Sequence, residues 1–367
     1  MKRLNYIDGL KGWCAVSICI LHFLLMFAIG GFIGWSCLPE AAANPFDYYF
    51  QWFPYSILTN NSFPLYIFFA LMSFIIGYTF LKNKDEDKLK QKIVMRYFRL
   101  MPLVLTACIV AFLLLAFNLC PLNEFYDITG NTWSVALIEH KFTFFDALRI
   151  GLFQTFFERT HLVSPFWCMF YIFLGSMLSF LMMFVYTKIK NKIFFFGSLI
   201  LFFFFVDQVY LSFVIGIIAA VIADKEYSLG KIKGLLLILA GCIFGLFPPV
   251  LLPSFIDIVT FYAIGAGFVI VGIHCSFSKN PLLCNKFAEF LGRESLALIV
   301  WQFLILQSLN VILFNTFYKA DMSTPLNIAI NFVVNIGLSL FITWVSSKTI
   351  TPLTNFICKK VGSLLCK

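Results

Sequence analysis

The feature that most limits how this chain can fold is the recurrence of long apolar runs. Hydropathy marks about ten stretches of bilayer-spanning length, near residues 12–34, 65–81, 102–119, 167–187, 193–206, 209–223, 234–252, 257–275, 295–316 and 326–346. In lipid the backbone N–H and C=O groups must be satisfied within the segment, so such runs fold as helices. Composition agrees, since 61% hydrophobic and only 12% charged residues lie outside the soluble range. The expectation is an all-α membrane helix bundle, polytopic, with about ten transmembrane helices. It would form one domain over residues 1–367 with no appended soluble domain. The first run is too long for a cleavable signal and lacks a small-residue cleavage site, so it is expected to stay in the membrane.

A formal charge of +9 raises nucleic acid as a partner, but the distribution of charge argues against it. With the N-terminus inside and the loops alternating, only Lys141, Arg149, Arg159 and Lys319 of the 27 basic residues fall outside. That asymmetry is an orientation signal and predicts a multi-pass protein of the inner or plasma membrane with both termini cytoplasmic. The chain then has one long outer loop, about residues 120–165. Within it "FFDALRIGLFQTFF" has apolar residues at helical spacing broken by Asp146, Arg149 and Gln154, and predicts an amphipathic helix at the membrane interface. The eleven cysteines lack zinc-site spacing and read as small buried hydrophobes, except that Cys37 and Cys120 fall in outer loops and have the option of pairing. No metal site is expected.

The first run, "YIDGLKGWCAVSICILHF" at residues 6–23, holds Lys11 and His22 in otherwise apolar surroundings. Eleven residues at 100° each return to within about 20° of the starting direction and rise about 16 Å. The cation therefore stands at the inner mouth and the imidazole near the bilayer centre on one face. An ionisable residue at that depth is a functional-site candidate by default. Arg96 and Arg99 are three residues apart just ahead of Pro102, so they too share a face. A basic mouth leading to a buried base suits an anionic carrier with a long arm. Its phosphates would be held by Lys and Arg while the reactive carbon reaches the histidine.

These stretches resemble the acyltransferase 3 family of integral membrane acyltransferases. "IDGLKG" followed by His22 resembles the start of its first helix, and "MRYFRLMP" its paired arginines before a proline. "IFFALMSFIIGY" resembles its second helix, "SPFWCMFYIFLGSM" its Trp-containing fourth, and "FLGRESLALIVWQFLIL" its ninth. The resemblance implies transfer of an acyl group, usually acetyl from cytoplasmic acetyl-CoA, to a hydroxyl of a sugar or polysaccharide. The acceptor would be a glycan or lipid-linked sugar. By the same resemblance His22 is the general base, and Arg96 and Arg99, with Lys11, hold the acyl-CoA. Lys11 stands where the family has arginine, which alone can make a bidentate contact. A glutamate that the family often carries in its fourth helix has no counterpart near Ile172, which leaves Asp8 as the nearest motif acid and the second candidate catalytic residue. Gln302 stands where the family frequently has histidine.

Taken residue by residue, other readings stay open. His22 has a packing role as an alternative, and Arg96 and Arg99 are also what a positive-inside helix end carries. Asp8 reads equally as a helix cap or as a partner of Lys11. His274 and Trp301 read as structural glue, and Trp167 as a packing or interface anchor. A transporter or flippase of a lipid-linked sugar is the competing function, although paired Gly/Pro-broken spans in corresponding halves are lacking. An inactive family member acting as an assembly partner is the third.

Overall fold

The computed structural model describes residues 4–27, 62–131, 143–159, 166–225, 227–247, 252–253 and 255–365. Its helices are, in order, α1 (Asn5–Phe27), α2 (Ser62–Asn83), α3 (Glu86–Ala116) and α4 (Leu122–Thr129), then α5, which begins at Phe144–Arg149 and continues through a π-helical turn (Ile150–Gln154) to Thr155–Phe157. There follow α6 (Phe166–Tyr186), α7 (Lys192–Val206), α8 (Leu211–Asp224), α9 (Lys231–Gly245), α10 (Ile258–Ser276) and α11 (Lys286–Arg293). The chain finishes with α12 (Ser295–Lys319, with a π-helical turn at Leu306–Asn310) and α13 (Thr324–Leu365). No strand occurs among the described residues.

Each of the ten apolar runs contains a helix among its described residues. Among the described residues seven helices are long and apolar enough to cross a membrane: α1, α2, α3, α6, α10, α12 and α13. The helices α7, α8 and α9 have 15, 14 and 15 residues, short of the roughly 20 that a hydrocarbon core requires. On α7 only Phe203 is buried, while Ile193, Phe194 and Phe205 are exposed, the pattern of a helix whose surroundings are lipid. At the centre, α2 packs against α1, α6, α8 and α10, and α13 packs against α3 and α12.

Three helix assignments differ from hydropathy alone. The first helix starts at Asn5 because its polar end is buried against α11. A Cβ on Gly9 would strike the backbone of Leu283, one on Gly12 the backbone of Gly292, and one on Gly292 the backbone of Asp8. The glycines of "IDGLKG" therefore let two backbones touch, as small residues do at membrane helix crossings. Second, α3 begins at Glu86 and Pro102 lies inside it. The charged stretch is helical because Asp85 caps it, accepting from the Lys88 N–H at 3.0 Å, and because Lys88–Asp85 and Lys90–Asp87 pair one turn apart at 2.8 and 3.0 Å.

Third, "FFDALRIGLFQTFF" does fold as a helix, with Thr143 and Asp146 forming a capping box, but it does not lie across the end of the bundle. It runs antiparallel along α3. Phe144 meets Phe112, Gly151 abuts Leu105, and Phe156 packs edge-on to Tyr97, whose hydroxyl donates to the Leu152 carbonyl at 2.7 Å. Its apolar face, including Ala147, Ile150 and Phe156, found a protein partner in α3.

Candidate functional site

A cavity of about 1020 Å³ opens among the N-terminal end of α1, the facing sides of α2 and α3, the start of α12 and the C-terminal half of α13. Asp8, Lys11, Arg96 and Arg99 all line it, so four of the five site residues expected from the sequence converge there. Lys88, Lys92, Arg293 and Lys359 join them, giving seven basic side chains against the acids Asp8, Asp85 and Glu294. Along α2 the lining runs from Asn83 to Phe68, a separation of fifteen residues or about 22 Å of helix. The cavity is therefore deep as well as basic.

Arg96 and Arg99 differ in what surrounds them. Arg99 is exposed at the rim, whereas Nε and Nη2 of Arg96 are buried and have no hydrogen-bond partner among the described residues. Buried guanidinium N–H groups without a partner are costly, and an anion brought into the cavity relieves that cost. The planar donor fork of arginine fits phosphate or carboxylate oxygens.

His22 lies about 16 Å along α1 from Lys11 and is not among the residues lining the cavity. Its Nδ1 is 3.3 Å from Oε1 of Gln302 on α12, and Phe303 packs edge-on to the ring at 5.5 Å. The bond to Gln302 is the first link of a chain of side-chain amides. Gln302 Nε2 donates to the Cys19 carbonyl at 3.2 Å and to Asn335 Oδ1 at 3.1 Å. Asn335 donates to Asn310 Oδ1 at 2.8 Å, and Asn310 donates to the carbonyl and side-chain oxygens of Asn331, both at 2.9 Å. Asn331 donates in turn to the carbonyl and side chain of Asn327, and Asn327 to the Phe314 carbonyl at 3.0 Å.

Backbone carbonyls only accept, so each amide bonded to one has its NH2 group fixed in that direction. Gln302, Asn310, Asn331 and Asn327 are all anchored in this way. Oε1 of Gln302 must then face His22, and Nδ1 must be the nitrogen that carries hydrogen. In the neutral ring Nε2 then keeps the lone pair and is the basic atom.

Asp8 lies fourteen residues from His22, about 21 Å along α1, and faces the basic cavity instead of the imidazole. Ile172 is buried in an apolar setting; on the adjacent Tyr171 the hydroxyl donates at 3.0 Å to Asp207, which pairs with Arg159. His274 packs among Phe74 and Tyr78, with its Nδ1 2.5 Å from the Tyr6 hydroxyl. Trp167 packs on Tyr171. Cys120 is a free, half-buried thiol, and Cys37 lies outside the described residues. Among the described residues no three His, Cys, Asp or Glu side chains converge as a metal-binding group.

The amide chain is the part of the site that reasoning on single residues passes over. Its signal is present in the sequence as "NIAINFVVNIGLSLFIT", where Asn327, Asn331, Asn335, Ser339 and Thr343 recur every four residues in an apolar helix. All five are buried. Polar side chains in repeat along a membrane helix face other helices, because lipid cannot satisfy them.

A bundle of apolar helices enclosing a deep basic cavity, with an oriented histidine farther along the same helices, defines an integral membrane protein with a buried polar site. The family model of the acyltransferase domain, Acyl_transf_3, matches residues 4–344, nearly the whole chain. The protein belongs to this family of membrane acyltransferases acting on sugars. No curated protein and no solved structure matches the chain.

Proposed function

We propose that the protein transfers an acetyl group from cytoplasmic acetyl-CoA to a hydroxyl of a cell-surface sugar or polysaccharide, with His22 as general base. The observation that carries this reading is the pairing of an anion-seeking Arg96 in a deep cavity with a histidine whose free nitrogen is fixed as Nε2. Lys11, Arg96 and Arg99 hold the phosphates of the donor at the cytoplasmic mouth, and both chain termini lie on that side. Asp8 sits among those cations and limits their mutual repulsion.

In the reaction Nε2 of His22 removes the proton of the acceptor hydroxyl as its oxygen attacks the thioester carbonyl. The carbon–sulfur bond breaks, the acyl group stays on the acceptor oxygen, and the imidazolium returns the proton to the departing thiolate. The chain Gln302–Asn335–Asn310 holds the ring in the tautomer that this step requires. The amphipathic α5 packs along α3, the helix that carries Arg96 and Arg99.

The test is release of the CoA thiol by the purified protein in lipid nanodiscs, given acetyl-CoA and a glycan extract from the source cells. Acceptor-dependent thiol release supports the reading. Movement of a lipid-linked sugar across vesicles without thiol release identifies a transporter instead.

A further inference from the structure

The stretch of protein between the cavity and His22 contains three buried polar groups without a hydrogen-bond partner among the described residues. Ser339 and Thr343 on α13 are buried, at 1% and 0% exposure, and neither hydroxyl has a hydrogen-bond partner among the described residues. Ser and Thr in helices ordinarily donate back to the carbonyl four residues earlier, as Ser308 does to Leu304 at 2.7 Å and Thr349 to Val345 at 3.0 Å. Ser339 and Thr343 do not. The third group is Nε1 of Trp301 on α12, which is also buried without a partner.

Their positions form a path. On α13, Ser346 and Thr354 line the cavity, and at 100° per residue Thr343 and Ser339 fall within the arc between those two, one and two turns deeper respectively. On α12, Ala297 lines the cavity and Trp301 lies one turn deeper, beside Gln302. Asn335, one turn beyond Ser339, is bonded to Gln302 and through it to His22. Donors without partners therefore occupy the interval between the mouth that would hold the phosphates and the imidazole that would meet the thioester.

Resting on the acyl-CoA reading above, we infer that Ser339, Thr343 and Trp301 form a binding track for the pantetheine arm of the donor, donating hydrogen bonds to its amide carbonyls. The arm carries two amides separated by a β-alanine unit, one methylene longer than the roughly 3.8 Å step between α-carbons, or about 5 Å. The rise between Ser339 and Thr343 is about 6 Å. An amide taken into a membrane interior needs such partners, because an unsatisfied carbonyl there is expensive.

The test compares two donors that lack the nucleotide: S-acetylpantetheine, which has both amides, and the S-acetyl ester of 2-mercaptoethanol, which has neither. The enzyme in nanodiscs is expected to prefer the first, and the Ser339→Ala, Thr343→Val double variant to lose about 4- to 100-fold of that preference, from 2- to 10-fold per hydrogen bond. The loss should appear in KM for S-acetylpantetheine and equally in KM for acetyl-CoA. An undiminished preference overturns the track, and so does an equal loss on both donors, which marks a packing role. A wild-type protein that releases no thiol from acetyl-CoA overturns the donor reading itself, whereas active wild type with an unaltered double variant overturns the track alone.

Discussion

His22 Nδ1 donates to Gln302 Oε1 at 3.3 Å, a direction set by the Cys19 carbonyl that Gln302 Nε2 donates to and matched by amides anchored as far along the chain as the Phe314 carbonyl. Each link makes the next one unambiguous, so a protein interior without charge fixes the tautomer of an imidazole. Serine hydrolases achieve this with a buried carboxylate. Here amides do it, which avoids bringing an ion into the membrane interior.

Gln302 is accordingly a positioning residue. Gln302→Leu should lower kcat by up to about tenfold, the equivalent of one hydrogen bond, with donor KM unchanged. Gln302→His, which can accept from Nδ1 and donate onward, should restore most of the rate. Steady-state kinetics on the two variants distinguishes orientation from packing, since a packing defect would not be repaired by the histidine.

The two arginines should separate cleanly. Arg96→Ala removes buried donors that have no protein partner and should raise KM for acetyl-CoA about 10- to 100-fold, with Arg96→Lys recovering little because a point charge cannot replace a fork. Arg99→Ala, at an exposed site, should cost only a few-fold and lose that effect as salt is raised. Donor titrations at two ionic strengths measure both.

The crossing of α1 and α11 should tolerate no side chain at Gly292. Gly292→Ala drives a Cβ into the Asp8 backbone and should destabilise the protein by about 1–3 kcal/mol. Gly337→Ala on α13, where nothing lies within 4 Å, should be neutral or stabilising by about 0.5–1 kcal/mol. Thermal unfolding in detergent reads the contrast. It also tests whether the crossing at which Gly292 meets the Asp8 backbone and Gly12 serves packing.

Ten helices are legible from hydropathy because their apolar runs are long and well separated. The ends are less so: α1 and α3 extend into charged sequence, where Gly–Gly contact and one-turn ion pairs stabilise helix that a hydropathy window scores as loop. The helix at Phe144–Phe157 shows its amphipathic period in sequence but not its partner, since an apolar face reads the same against lipid or against α3. Of the site, the face shared by Lys11 and His22 and the pair Arg96 and Arg99 follow from helix periodicity. That Asp8 serves the cavity and not the imidazole, and that Asn310 joins the amide chain from a π-helical turn, depend on inter-helix register. Local spacing carries no such information.

The central claim is that Nε2 of His22 takes the acceptor proton. Its most direct measurement is the acceptor-dependent rate of thiol release from acetyl-CoA by His22→Gln, with correct insertion checked by yield and thermal unfolding. Glutamine preserves a hydrogen bond to Gln302 but cannot act as a base, so the account predicts a folded protein with a rate lowered about 10²- to 10⁴-fold. A His22→Gln protein working at close to the wild-type rate would contradict it.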